Sequence, residues 1–444
     1  MKTIKSIFIL FLFVSSFCFN SCKKRIVKEP VKTFKNLVNK KSPTFLFLSD
    51  IHLDSHKQTT LYGQDTGMIL WRAFLEKVDA VISGACPDFI IYTGDLPSHT
   101  PWVQPLPKEE RPSHNENIAA ILSGLRDLAT KHKITLLYLP GNNDGIAGDY
   151  ASFSDEKQQT PFSLIPENQN PYPALNTNTI GGKIPCIVSN PAPKMGYYSA
   201  RPIEGLRVIA LNTVIHSTYF IEADGSNQID DAKKQMSWFA NELKDAKRKG
   251  EKAYISMHIP PGIDAFGYKK KGIDATNWAK LPASNPWNNQ FLQIVSDYQK
   301  TIAGVLYGHT HMDELRRLYD PSGKKITEVA ISCPGVTPIH NNNPGFKLVN
   351  YDATSKELLD FTTYYTTIPA AITWGDAKYS FNQKFGYSSN RTMYENLSLD
   401  SFSNIHTKLN SIFTVMHGPA GYDISTGIAV KYEYKKNIRP KGPS

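Results

Sequence analysis

Six short apolar runs recur between residues 44 and 311, and each ends abruptly in a polar or glycine-bearing word: TFLFLSD, DFIIYTGD, ITLLYLPGNND, LRVIALNT, KAYISMHIPPG and IAGVLYGHTH. Runs this short, apolar at nearly every position, suit strands buried on both faces, as in a parallel sheet covered by helices. Between them lie stretches with helical spacing: NENIAAILSGLRDLATKH, DDAKKQMSWFANELKDAKRKG and NNQFLQIVSDYQK. That alternation predicts an α/β layered fold. Farther on, EVAISCPGVTP, GFKLVNYDA and ELLDFTTYYT read as more antiparallel strands. After about residue 370 the chain turns polar, aromatic and helical. The expected organisation is a main domain over residues 44–369 and a docked helical subdomain over 370–444.

A chain of 444 residues has room for one large domain with an appendage. With 41% hydrophobic and 20% charged residues, a packed core is expected rather than disorder. The formal charge of +10 favours anionic substrates or surfaces. No Lys/Arg cluster with interleaved aromatics stands out, so specific nucleic-acid binding is not expected.

Lys2 and Lys5 precede the apolar stretch IFILFLFVSSFCF, which is short for a permanent membrane span. Residues 1–21 therefore read as a signal peptide. Export is expected, to the periplasm, the cell surface or the medium. FNSC has the outline of a bacterial lipobox, which would make Cys22 a lipidated membrane tether; the alternative is ordinary secretion with cleavage nearby. Residues 22–43 read as a tether. Beyond Cys18 and Cys22 the chain holds only Cys86, Cys186 and Cys333. They form no disulfide framework and no Cys-x-x-Cys metal site.

The residues just past the strands carry the chemistry. Asp50 and His52 come after the first run, Asp95 after the second and Asn142 after the third. His258 comes after the fifth, and His309 and His311 after the sixth. In open α/β sheets, ligands bind at that carboxyl edge. Residues two apart in an extended segment point to the same side, so Asp50 is expected to share a face with His52, and His309 with His311. Each word alone is weak: a lone Gly-Asp or Gly-Asn-Asn is more often a turn. Together they give a set of imidazoles, carboxylates and one amide without thiolates. A single tetrahedral ion takes about four ligands. The seven side chains suit two ions sharing a carboxylate, with zinc, manganese or iron all chemically reasonable. Two ions roughly 3.5–4 Å apart form a clamp for in-line displacement at phosphorus by a metal-activated hydroxide.

The order Asp-x-His, Gly-Asp, Gly-Asn, His, Gly-His-x-His resembles the calcineurin-like metallophosphoesterase superfamily. SDIHLD, GDLPSHTPW, HIPPG, YGHTHMDE and GVTPIHNNNPGFKLVNYD are similar to its acid sphingomyelinase and acid sphingomyelinase-like phosphodiesterase branch. The resemblance covers about residues 44 to 420. It implies a four-layer α/β/β/α sandwich and two metal ions, typically zinc. It implies one ion at Asp50, His52 and His311, a second at Asn142, His258 and His309, and Asp95 bridging them. The family usually has histidine where this chain has Asn143, and an amide supplies no proton at ordinary pH. His99 matches a second active-site histidine of the branch and is the expected proton donor to the leaving oxygen. Trp102 and His340 are further expected substrate contacts, with Asn143 beside them. Only about twenty residues separate the leader from the first strand, so the lipid-lifting saposin domain of acid sphingomyelinases is not expected. That favours soluble nucleotides or related phosphodiesters and phosphoanhydrides as substrates over sphingomyelin or another phospholipid head group. A metal-containing binding protein that has lost turnover is the alternative of another class, and Asn143 is its only support.

Overall fold

The computed structural model describes residues 43–99, 101, 103–165, 186–262, 264, 276–320, 322–368, 373–401, 404–405 and 433–434. The signal peptide, nearly all of the tether, Cys22 and Trp102 lie outside the described residues.

Each of the six runs is a strand. β1 (Thr44–Leu48) and β2 (Phe89–Tyr92) are buried throughout, as expected for strands covered on both faces, and β3 (Thr135–Tyr138) nearly so. β1, β2 and β3 pair in parallel. β4 (Ile187–Ala192) and β5 (Tyr197–Ile203), which lack a compact apolar run, form an antiparallel edge beside β6 (Leu206–Leu211). β6, β7 (Lys252–Met257) and β8 (Ile302–Tyr307) are again parallel. β9 (Leu315–Tyr319) runs antiparallel to β10 (Ile326–Ser332). β11 (Gly345–Tyr351) joins β1 antiparallel and carries β12 (Leu358–Tyr365) and β13 (Lys378–Ser380) outward. With β14 (Glu433–Tyr434), the result is two sheets, ordered β13-β12-β11-β1-β2-β3 and β14-β9-β10-β8-β7-β6-β5-β4.

Helix α1 (Met68–Ala85) has no counterpart among the helical patterns read from the sequence. Its buried Leu70, Trp71, Phe74, Val78, Val81 and Ile82 repeat at helical spacing, and Cys86 ends it in a left-handed conformation. With α2 (Arg111–His132) it packs in the core of the six-stranded sheet. α3 (Gln228–Lys249) and α4 (Trp287–Asp297) share a second core with β6, β7 and β8. Helices thus cover the outer faces, and the sheets meet face to face. Between them Phe45 lies 5.5 Å from Tyr254, and the Cys333 thiol points at the Phe47 carbonyl. Cys86, Cys186 and Cys333 are free thiols. The chain is a mixed α/β fold that fits the expected sandwich.

The C-terminal residues differ from a purely helical subdomain. α5 (Phe381–Phe385) and α6 (Met393–Leu399) are present, but β13 extends one sheet and β14 extends the other. Among the described residues, β13 pairs with β12 and β14 with β9, so these two strands belong to the sheets of the main fold.

On β10, burial pushes the Glu328 carboxyl up to about 8, and nearby Glu357 adds repulsion. A folded carboxyl that binds its proton more tightly than the unfolded one costs stability as pH rises from about 4.5 towards about 8. Glu328→Gln is therefore expected to stabilise the protein by on the order of 1–3 kcal/mol at pH 8 and to change little at pH 5. Urea unfolding at the two pH values checks this.

Candidate metal centre

The carboxyl ends of β1, β2, β3, β7 and β8 converge, and the seven residues singled out in the sequence come together there. Ligand atoms of Asp50, His52, Asp95 and His311 lie within 4.8 Å of one another, and so do those of Asp95, His258 and His309. Asp95 belongs to both groups. Its Oδ2 stands 3.2 Å from His52 Nε2 and 3.1 Å from His258 Nε2. Asn142 Oδ1 completes the second group, 3.0 Å from His258 Nε2 and 2.8 Å from His309 Nδ1.

The local backbone is not what the spacing implied. Asp50, His52, Asp95, His309 and His311 have φ of 51, 47, 63, 73 and 59°, in the left-handed region rather than extended. Each pair does share a face, but through tight reversals that non-glycine residues adopt at a cost. The reversals are tied from outside. Asp50 accepts from the His309 amide at 3.0 Å, while the amides of Val336 and Thr337 donate to the Asp50 carbonyl. Buried Asp144 accepts from the amides of Gly141 and Leu96, both at 2.6 Å, and from the Tyr138 hydroxyl at 2.8 Å. It thereby joins the loops after β2 and β3. Glycine is required at two places because carboxylates press on it. A Cβ at Gly141 would overlap Asp95, and one at Gly308 would overlap Ser49 and crowd Asp50.

The donor set fits divalent cations. His52 Nδ1 donates to the Pro97 carbonyl at 3.0 Å and His258 Nδ1 to the Thr93 carbonyl at 2.6 Å. These bonds fix both rings and turn both Nε2 atoms inward, the usual outer support of a metal-binding imidazole. His52 Nε2 and His311 Nε2 face each other at 3.2 Å. His311 Nδ1 is buried without a hydrogen-bond partner. Burial, with the positive fields of His340, His52 and His99, holds His311 well below the usual imidazole range, so its lone pair stays available. His309 is held well below as well, by burial and by His258. Burial acts to raise Asp95, but His258 and His52 outweigh it and keep the carboxylate ionised. This cluster fits a dinuclear site.

The centre opens into a pocket of about 310 Å³. At the Asp50–His52–His311 end, His99 stacks on His52 with ring centroids 3.8 Å apart, and His340 lies 4.7 Å from His311. At the other end Tyr150 meets His309 edge-on at 6.4 Å, and Tyr219 leans on Tyr150 at 5.2 Å. Asp149 and Asp264 line the same end. Asn143 is placed differently from the expected substrate contact. Its amide and Nδ2 donate to the Asp95 carboxylate at 2.9 and 3.2 Å, so its side chain braces that residue. Sequence reading missed Asp65, Asp144, Asp149, Tyr150 and Tyr219. Of these only Asp144, inside GNND, carried any motif signal.

Residues 43–313 match the family model described as calcineurin-like phosphoesterase. A sphingomyelinase phosphodiesterase D of Dictyostelium discoideum is 30% identical over 318 residues, covering 69% of this chain and 62% of that protein. The cyclic GMP-AMP phosphodiesterase SMPDL3A of Bos taurus is 29% identical over 303 residues, 67% of this chain and 60% of that protein. Sphingomyelin phosphodiesterase 1 of Caenorhabditis elegans is 27% identical over 294 residues, 64% of this chain and 45% of that protein. The matches span less than two thirds of these relatives' lengths. With the family model matched across residues 43–313, well over half of its length, the chain belongs to the calcineurin-like phosphoesterase family.

Proposed function

We propose that this chain is an exported phosphodiesterase that hydrolyses phosphodiester or phosphoanhydride bonds of soluble nucleotides or related compounds. The observation that carries the reading is the Asp95 carboxylate, placed between two groups of nitrogen and oxygen donors. Asp50, His52 and His311 would hold one divalent ion and Asn142, His258 and His309 the other, with Asp95 shared. Zinc is the proposed metal, with manganese or iron as alternatives. When bound, the ions neutralise phosphoryl oxygens and activate a water for in-line attack. Asp95 keeps its charge and geometry through Asn143 and the neighbouring imidazoles. His99 gives its proton to the departing ester oxygen.

His99→Ala is expected to lower kcat by on the order of 10²–10⁴ for diesters with alkoxide leaving groups. A p-nitrophenolate leaving group needs little protonation and should suffer far less. Steady-state kinetics on the two substrate types measures the difference.

One observation favours a second reading, a phosphocholine-type head group. Two tilted tyrosine rings beside Asp149 and Asp264 offer the faces and negative charge that suit a quaternary ammonium. Tyr219→Ala should then raise KM for a choline ester about tenfold, with kcat little changed. The deciding experiment is turnover by the metal-loaded protein of CDP-choline, ATP, sphingomyelin, bis(p-nitrophenyl) phosphate and p-nitrophenyl phosphate. Diester or nucleotide hydrolysis, absent in Asp95→Ala, supports a phosphodiesterase. Metal binding with no turnover on any of them would favour a binding protein.

A further inference from the structure

Asp65 lies in GQDTGM, before α1, and no motif marks it. In the fold it is buried at 4% exposure and faces His99. The His99 amide donates to Asp65 Oδ2 at 2.9 Å, and His99 Nδ1 donates to Asp65 Oδ1 at 2.7 Å. The Thr337 hydroxyl lies 3.4 Å from the same Oδ1 and steadies it. One carboxylate therefore grips both the backbone and the ring of His99. The ring's remaining freedom is taken by His52, on which it stacks within 16° of parallel.

This clamp acts on His99 in two ways. A carboxylate only accepts hydrogen bonds, so Nδ1 carries a proton and Nε2 is the nitrogen left for exchange with substrate. The ring is also held to one orientation at the pocket wall. His52, His99 and His311 place nitrogens within 4.8 Å of one another, so the ring stays at this end of the ligand cluster.

We infer that Asp65 is a positioning residue that commits the His99 ring to the leaving group. The inference rests on the reading of His99 as proton donor. As the phosphorus–oxygen bond breaks, the Nε2 proton passes to the leaving oxygen, which departs as a neutral alcohol. The water that attacks phosphorus releases a proton, and solvent returns one to Nε2.

The test uses the full metal-loaded protein and compares Asp65→Asn, Asp65→Ala, His99→Ala and the double variant Asp65→Asn/His99→Ala. The substrates are a series of aryl and alkyl methyl phosphodiesters of rising leaving-group pKa. Asp65→Asn is expected to lose about 10²-fold in kcat on the poorest leaving groups and little on the best. It should keep the wild-type metal content, and the double variant should be no slower than His99→Ala. Equal losses across the series, additive losses in the double variant, or loss of metal from Asp65→Asn with its fold intact would overturn the inference. If His99→Ala itself shows no leaving-group dependence, the proton-donor reading fails, whatever Asp65 does. Asp65→Ala, judged by circular dichroism, separates a folding defect from a positioning one.

Discussion

Asp95→Ala is expected to lose at least one ion per chain and to lower kcat/KM by on the order of 10³ or more, several kcal/mol of transition-state stabilisation. The size follows from position. Asp95 is the single carboxylate placed in both ligand groups, and it carries the charge that faces His52 and His258. Removing a ligand from one end would leave the other end intact; removing Asp95 takes a ligand from both. The fold should survive, because the loops after β2 and β3 are joined separately by Asp144. Metal analysis and kinetics on the same preparation check this. Two retained ions with activity within tenfold of wild type would rule out a shared ligand.

The second large effect lies two residues past His311. Lys347 on β11 is fully buried and forms an ion pair with Asp313. Thr363 on β12 donates to Asp313 at 3.0 Å, the Tyr379 hydroxyl on β13 donates to the same carboxylate, and the Phe361 ring lies 4.0 Å from the ammonium. The network fastens the loop carrying His309 and His311 to the opposite sheet. Lys347→Met would leave the Asp313 charge buried and uncompensated, and a loss of about 3–5 kcal/mol is expected. Metal affinity should fall 10–100-fold as the loop loosens. The double variant Lys347→Met/Asp313→Leu removes the stranded charge. It should recover much of the stability but not the metal affinity. Recovery of both would show that the network serves the core alone. Urea unfolding and competitive metal titration read the two effects separately.

Much of the centre was legible because each ligand sits just after a short apolar run, and the carboxyl edge of such strands is a predictable place. The strand count was less legible. β4 and β5 mix proline, polar and aromatic residues at a sheet edge, where one-sided burial leaves little pattern. Helix α1 escaped notice although its moderate amphipathicity is visible in retrospect. The spacing argument for Asp50 with His52 reached the right neighbours through the wrong backbone, since left-handed reversals have no period to read. Asp65 and Lys347 were out of reach for another reason. Their partners, His99 and Asp313, are 34 residues away in each case, and only the packed fold brings them together.

The most direct test is to strip the purified protein with a chelator and titrate Zn²⁺ or Mn²⁺ back while following hydrolysis of bis(p-nitrophenyl) phosphate and bound metal. Two ions per chain, with full activity only when both are present, are the predicted result. Saturation at one ion, or turnover by the stripped protein, would contradict a centre built around Asp95.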